Sequence, residues 1–306
     1  MKKKLLLSGL IFILASCSGE SSSVSNEPDS GTLESSIQDS SSSTSESSSS
    51  ESLTVDSTPD SSSPSTEITN LTKEEMDAFI AKIEEAEGHP KRNESSATVS
   101  ISYLTSDPDD PLTIAYTDDF TMERYTHEGK EMTVQLETVS YEESSTYLYE
   151  TYNYYDDTDF YRVIKEDGTV SSTESTPLGS VDLEKYLTVG YAYQAKNNLE
   201  SIEYYLLNPN ELYSSEITIL EIPGEELSFS FTFTEYEEED PTMISQTTEM
   251  SAVMTIEEGV ITNAVETYSY ALYAAGTKGM WMDTRSDMNF IQGGYDEYDG
   301  DFFTTI

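Results

Sequence analysis

The chain is 306 residues long and carries 59 Asp+Glu against 15 Lys+Arg, a formal net charge of −44, so nucleic acid and anionic lipid headgroups are repelled. One cysteine excludes an intrachain disulfide. Stability has to come from burying aliphatic and aromatic side chains, among them 22 Tyr and 10 Phe.

The chain opens as a secretory signal. Lys2, Lys3 and Lys4 precede an apolar run from Leu5 to Leu14 broken only by Ser8 and Gly9, too short to span a bilayer. Small residues at Ala15 and Ser16 then lead to Cys17, the single cysteine. Leu14-Ala15-Ser16-Cys17 resembles the lipobox of bacterial lipoproteins. The resemblance implies a signal peptide over residues 1–16, cleavage after Ser16, and a diacylglyceryl group of palmitate type on the Cys17 sulfur. The expected location is the cell membrane, lipid-anchored on its extracytoplasmic face. No later apolar run approaches the length of a membrane-spanning helix.

Residues 17–68 read as a linker. From Ser18 to Ser65 the chain is mostly serine with acids spaced through it, and no Lys or Arg occurs between Lys4 and Lys73. Too little apolar surface is available there to offset the entropy of ordering, so disorder is expected. A flexible coil of this length has an r.m.s. span of about 40 Å, lengthened by repulsion between its acids.

Residues 69–306 read as a single β-rich domain. Thr72-Lys73-Glu74-Glu75 fits a capping box, with Leu71 and Met76 as its hydrophobic staple. Met76, Phe79, Ile80 and Ile83 form one apolar stripe, and Gly88 and Pro90 end the helix. The period then changes from 3.6 to 2. Ala97, Val99, Ile101 and Tyr103 alternate with polar residues, as do Phe120 and Met122, and Met132, Val134 and Leu136. Further strands are expected over 111–117, 145–155 and 159–165, with Asp167-Gly168 as a hairpin turn.

A mid-chain helical insertion follows, with Ser180 as its N-cap and Leu183, Tyr186, Leu187, Tyr191, Leu199 and Ile202 along its stripe. Either Gly190 or the Asn197-Asn198 pair can split it, and Pro209 stops it. Leu227, Phe229, Phe231 and Phe233 then alternate with Ser228, Ser230, Thr232 and Thr234, which makes one face aromatic and the other hydroxyl. Strands over 213–222, 243–256, 260–273 and 280–290 surround this one, with Glu257-Glu258-Gly259 joining a hairpin. The tail from Gly293 is expected to lie loosely.

About ten antiparallel strands with an N-terminal helix and a mid-chain insertion give a mainly β (α+β) class, a curved, half-barrel-like meander. Lipobox, polar linker, leading helix, long meander and mid-chain helices together resemble the LolA/LppX-like lipoprotein carrier class. That resemblance implies an incompletely closed antiparallel barrel wrapped on helices, with an apolar cavity that binds a hydrophobic molecule or lipid. Phe229, Phe231 and Phe233 are the candidate ligand-lining residues, on the cavity or core side.

A second reading is an adhesion or carbohydrate-binding module that uses exposed tyrosines from the cluster Tyr147, Tyr149, Tyr152, Tyr154 and Tyr155. Catalysis has no anchor in the sequence. His89 sits in the helix stop, His127 precedes a turn, and no nucleophile elbow, phosphate loop or zinc-binding helix motif is present. A non-enzyme without a cofactor is expected, monomeric, with the membrane and a hydrophobic ligand as its partners. Three acidic clusters could hold a hard cation such as calcium: Asp107, Asp109 and Asp110; Asp156, Asp157 and Asp159; and Asp296, Glu297, Asp299 and Asp301. None fits a calcium-loop pattern, and they read as solvated loops rather than as a metal site.

Overall fold

The computed structural model describes residues 65–69, 71–105, 111–141, 146–207, 212–238, 240 and 242–300. The lipobox with Cys17, the linker to Pro64, and Asp107, Asp109, Asp110, Pro209 and Asp301 lie outside them.

Thirteen strands build one sheet. They are β1 (Thr66–Thr69), β2 (Pro90–Tyr103), β3 (Leu112–His127), β4 (Lys130–Tyr141), β5 (Thr146–Tyr155), β6 (Asp159–Glu166), β7 (Thr169–Pro177), β8 (Tyr213–Ile222), β9 (Glu226–Tyr236), β10 (Ile244–Glu257), β11 (Val260–Ala274), β12 (Thr277–Gln292) and β13 (Asp296–Glu297). Three helices accompany them: α1 (Lys73–Ala86), α2 (Leu183–Leu187) and α3 (Ala192–Leu207). The order is β1-β8-β9-β10-β11-β12-β2-β3-β4-β5-β6-β7, antiparallel between each pair, and the sheet stays open between the β1 and β7 edges.

The mainly β, curved meander with helical insertions is therefore the architecture of this chain. Three strands exceed the sequence expectation. β1 takes in Thr66, Glu67 and Ile68, assigned above to the linker, because their backbone covers the edge of β8 from Thr66↔Glu221 to Thr69↔Thr218. β7 is a hydroxyl-rich edge with little apolar alternation to announce it. β13 ties down the tail expected to lie loosely. It pairs with Tyr125 and Thr126 of β3, beyond Glu123 where pairing with β2 ends.

Local chemistry accounts for the elements. The Thr72 hydroxyl accepts from the Glu75 amide at 3.3 Å, and the Glu75 carboxylate accepts from the Thr72 amide at 2.8 Å, which closes the capping box of α1. Four hairpins turn on two residues with positive φ, Glu128-Gly129, Asp167-Gly168, Glu258-Gly259 and Ala275-Gly276, the backbone a type I′ turn requires. The mid-chain insertion differs in detail from expectation. Its first helix is capped by Asp182, whose side chain accepts from the Glu184 amide at 3.1 Å, rather than by Ser180. It splits at residues 188–191, and Asn197-Asn198 continue helically within α3.

The main core lies between α1, α3 and one face of β8 to β12. Met76, Phe79, Ile80 and Ile83 of α1 and Ala195, Leu199 and Ile202 of α3 meet Leu227, Phe229, Phe231 and Phe233 of β9, with Ile217, Ala252, Met254, Ala264, Met288 and Phe290 beside them. Lys73 pairs with Glu203 at 2.7 Å and Lys196 with Glu84 at 3.1 Å, so α1 and α3 run antiparallel.

Glu87, at the C-terminus of α1, accepts from the Ala192 amide at 3.0 Å and so caps α3. A Cβ at Gly190 would overlap that carboxylate. Gly190→Ala should push Glu87 off the amide and cost about 1–2 kcal/mol. The test is the urea midpoint, and an unchanged midpoint would remove this contact from the account.

Candidate ligand-binding face

Strand register sorts the side chains into an inner face, which carries the helices, and an outer face. On the inner face, the row through Tyr268, Thr284, Val99, Tyr116 and Tyr141 is followed by Glu266, Ser286, Ala97, Asp118, Val139 and Tyr147. The next row is Ala264, Met288, Ser95, Phe120, Glu137, Tyr149 and Glu166. α1 and α3 cover the β8 to β12 half. Beyond them the same face carries a second apolar cluster of Val99, Ile101, Tyr116 and Val139, with Tyr141, Tyr149 and Met282 against it.

The predicted lining residues Phe229, Phe231 and Phe233 are on the core side, 3%, 5% and 7% exposed beneath the helices. The tyrosine cluster divides by register. Tyr147 and Tyr149 are on the inner face, whereas Tyr152 and Tyr154 are on the outer face with Met132, Val163 and Tyr298. Tyr152 is 6% exposed, and Tyr298 of the tail packs edge-on at 6.3 Å from it and 5.2 Å from Tyr125. His89 lies exposed in the α1–β2 loop, its amide donating to Gln292 Oε1 at 2.7 Å, and His127 ends β3.

Of the acidic clusters, Asp156 is committed within its own turn. Its carboxylate accepts from the Thr158 and Asp159 amides and from Tyr161 Oη, and these bonds hold it well below the usual carboxylate range. Among the described residues, no group of three or more His, Cys, Asp or Glu side chains is placed to hold a metal ion.

Two acids on the inner face stand out from this background. Asp118 is 9% exposed, and its Oδ1 has no hydrogen-bond partner among the described residues. Burial, then the charges of Glu137 and Asp119, push its carboxyl up to about 7. Glu137, diagonal to it across β3 and β4, is also raised by burial, partly offset by a hydrogen bond from Gln135 and the Arg162 charge.

Aromatic rings surround this pair. Tyr116 and Tyr141 are 5.3 Å apart, and Tyr141 meets Tyr147 edge-on at 6.3 Å. Burial, followed by Tyr141 and the acids Asp118 and Glu137, pushes the Tyr116 hydroxyl up to about 12. Thr284 Oγ1, Asn93 Oδ1 and Asn153 Oδ1 on the same face are likewise buried without a partner. Asn93 is opposite Phe290 beside the main core and Asn153 opposite Thr133 near α2, so Asp118 and Thr284 are the unpartnered groups nearest the second cluster, where buried polar atoms are ordinarily paired.

Glu266 shows the contrasting, satisfied arrangement. It accepts from Tyr191 Oη at 2.6 Å, Gln194 Nε2 at 3.0 Å and Asn198 Nδ2 at 3.4 Å, and so fastens α3 to the sheet. Between Glu266 and Asp118 the row carries only Ser286 and Ala97, small residues that leave room beside the helix.

The outer face is paved with hydroxyls. One row runs Thr69, Thr218, Ser230, Ser251, Thr267, Arg285, Thr98, Thr117, Ser140 and Thr146 across ten strands. A shallow hollow of about 460 Å³ is lined there by Thr98, Ser100, Ala115, Thr117, Ser140 and Arg285, among others.

The signals that could have found the inner site were partial. Val99 and Ile101 were read as one face of a strand, but Asp118 and Glu137 are two among 59 acids and become special only through register.

No protein-family model matches the chain, and none of the curated proteins matches it. Among solved structures, a mutant of the porin of Rh. blastica is similar at 6% identity and a TM-score of 0.20, over 65% of this chain and 99% of that one. A β-barrel-like protein from Brucella abortus, of a domain of unknown function, is similar at 10% identity and a TM-score of 0.17, over 66% and 98%. The tesB protein of Mycobacterium avium subs paratuberculosis is similar at 12% identity and a TM-score of 0.12, over 71% and 85%. At these scores none carries an argument about function.

The raised carboxyls set a sign for pH dependence. Asp118 keeps a proton in the folded chain up to about 7, whereas an unfolded aspartate loses it near 4. Stability from this group is therefore full below the unfolded value, falls as pH rises through that window, and is flat above about 7. Glu87, Glu137 and Glu266, all raised by burial, act in the same direction. The melting temperature should be higher at pH 5 than at pH 8. Asp118→Asn should narrow the gap, by stabilising the protein on the order of 2 kcal/mol at pH 8 and little at pH 5. A variant with the parental pH profile would contradict the burial of Asp118.

Proposed function

We propose that this protein is a membrane-anchored extracytoplasmic lipoprotein. It takes a hydrophobic or lipid ligand against the helix-free part of its inner face and catalyses no reaction. The observation that carries the reading is the second apolar cluster, Val99, Ile101, Tyr116 and Val139, lying on the inner face outside the main core beside the buried, unpartnered Asp118 Oδ1 and Thr284 Oγ1. An apolar body over the cluster and a polar end at those atoms is what such a surface complements.

This places the ligand away from Phe229, Phe231 and Phe233, which fill the space under the helices. The acyl group on Cys17 and the acidic linker hold the domain at the outer surface of the membrane, and they account for a soluble, strongly charged body with a lipobox. Among the described residues no helix is long and apolar enough to cross a membrane.

Two measurements test the reading. Organic extraction of protein purified from its native membrane, followed by mass spectrometry, should return a stoichiometric amphiphile that is lost when Val99 or Val139 is changed to Asp. Replacing Cys17 with Ser should move the protein from the membrane to the soluble fraction, and unchanged partitioning would defeat the anchor.

A further inference from the structure

The inner-face cluster has a polarity that an apolar ligand leaves unused. Asp118 and Glu137 lie diagonally across β3 and β4, a separation of roughly 7 Å between such neighbours. The charges acting on Asp118 are both acids, and the one cation acting on Glu137 is Arg162. Asp118 Oδ1 is nine-tenths buried and has no partner. Thr284 Oγ1, one row along the same face, is 8% exposed and equally unpartnered.

Tyrosine rings border these acids on several sides. Tyr149 is directly opposite Glu137, Tyr147 is on the row of Asp118, and Tyr116 and Tyr141 make the adjoining row. Buried carboxylates without counter-charges are costly unless a cation joins them. A ring face attracts a positive charge, most strongly where water is excluded. A hard divalent ion wants six to eight oxygens in a shaped loop, whereas carboxyls interleaved with aromatic faces suit a soft, partly apolar cation.

We propose that the head group taken up by this site is an organic cation, a primary or quaternary ammonium, seated between Asp118 and Glu137 and bordered by Tyr116, Tyr141, Tyr147 and Tyr149. This rests on the ligand-binding reading above and specifies the chemistry of its polar end. The apolar remainder of the ligand lies over Val99, Ile101 and Val139. The ammonium supplies the counter-charge that Asp118 lacks and adds to that of Arg162 at Glu137.

The test uses the full chain carrying Cys17→Ser, titrated at physiological salt with decyltrimethylammonium and with decanol, each below its aggregation limit, and followed by calorimetry. The cation should bind at least about tenfold more tightly than the alcohol. Asp118→Asn and Glu137→Gln should each remove most of that preference and leave decanol binding in place. Asp157→Asn, an exposed acid, should leave it intact. Near-ultraviolet circular dichroism establishes that each variant is folded.

Equal affinity for the two probes overturns the head-group proposal while leaving ligand binding standing. A preference that survives Asp118→Asn and Glu137→Gln overturns it as well, because attraction to the acidic surface alone would then explain binding. Binding of neither probe, together with an empty organic extract, removes the ligand-binding reading itself.

Discussion

A sheet of thirteen strands has two faces, and among the described residues only two helices of any length are there to cover one of them. That imbalance governs the molecule. α1 and α3 bury the aromatic face of β9 and its neighbours, where four large side chains on one strand meet two apolar helix stripes. The other half of the inner face has no such partner in the main core, and it is there that the second apolar cluster, the unpartnered Asp118 Oδ1 and Thr284 Oγ1, and the raised carboxyls of Asp118 and Glu137 lie. The helix-covered half and the half proposed to take a ligand are thus one surface divided by where the helices stop.

Acidity sharpens the division. With a net charge of −44 the folded chain repels itself, and each carboxylate brought inside adds desolvation to that repulsion. The fold meets this in two ways. Glu266, buried, and Glu87, half-buried, are hydrogen-bond acceptors that fasten α3 at its side and at its N-terminus, so their desolvation is partly offset by donors already in place. Asp118 has no such donors at Oδ1, and the fold holds its proton instead. The first arrangement is structural; the second leaves a group whose charge state a ligand can change.

Much of the fold was legible from local chemistry. The capping box at Thr72 and Glu75, the alternation of β9 and the Asp167-Gly168 hairpin each rest on a few neighbouring residues, and each stands in the structure as read. What stayed hidden was non-local or weakly patterned. β7 is built of Ser, Thr and Glu with one Val, and an edge strand of that composition reads like a loop. Ser180 and Asp182 are both good caps, and only the turn that precedes α2 decides between them. The tail looked unattached because neither the pairing of β13 with the overhang of β3 nor the packing of Tyr298 on Tyr125 and Tyr152 has a signature within the tail itself. The candidate site was invisible for the same reason. Asp118 and Glu137 become neighbours only through the pairing of β3 with β4, and Ser286 joins the row of Ala97 and Asp118 only because β2 pairs with β12, far away in sequence.

That last pairing also sets where the two ends of the sheet lie. β2 to β7 form one meander and β8 to β12 another, joined where β12 pairs with β2, so β7 and β8 lie toward opposite ends of the sheet. Ten strand spacings separate them, a path of roughly 48 Å along the sheet. The chain returns through α2 and α3, and a helix of 16 residues spans only about 24 Å. The segments flanking α3 make up the rest of that path, and α3 lies against the main core on the inner face on the way back. α2 is held on that side at Thr133, whose hydroxyl donates to the Tyr186 carbonyl at 2.9 Å, and by the contact of Phe160 with Tyr186 at 4.7 Å. α3 is held there by Glu266. The row between these two attachments runs through Ser286, Ala97, Asp118 and Val139, so the return path frames the part of the inner face that is proposed to take a ligand.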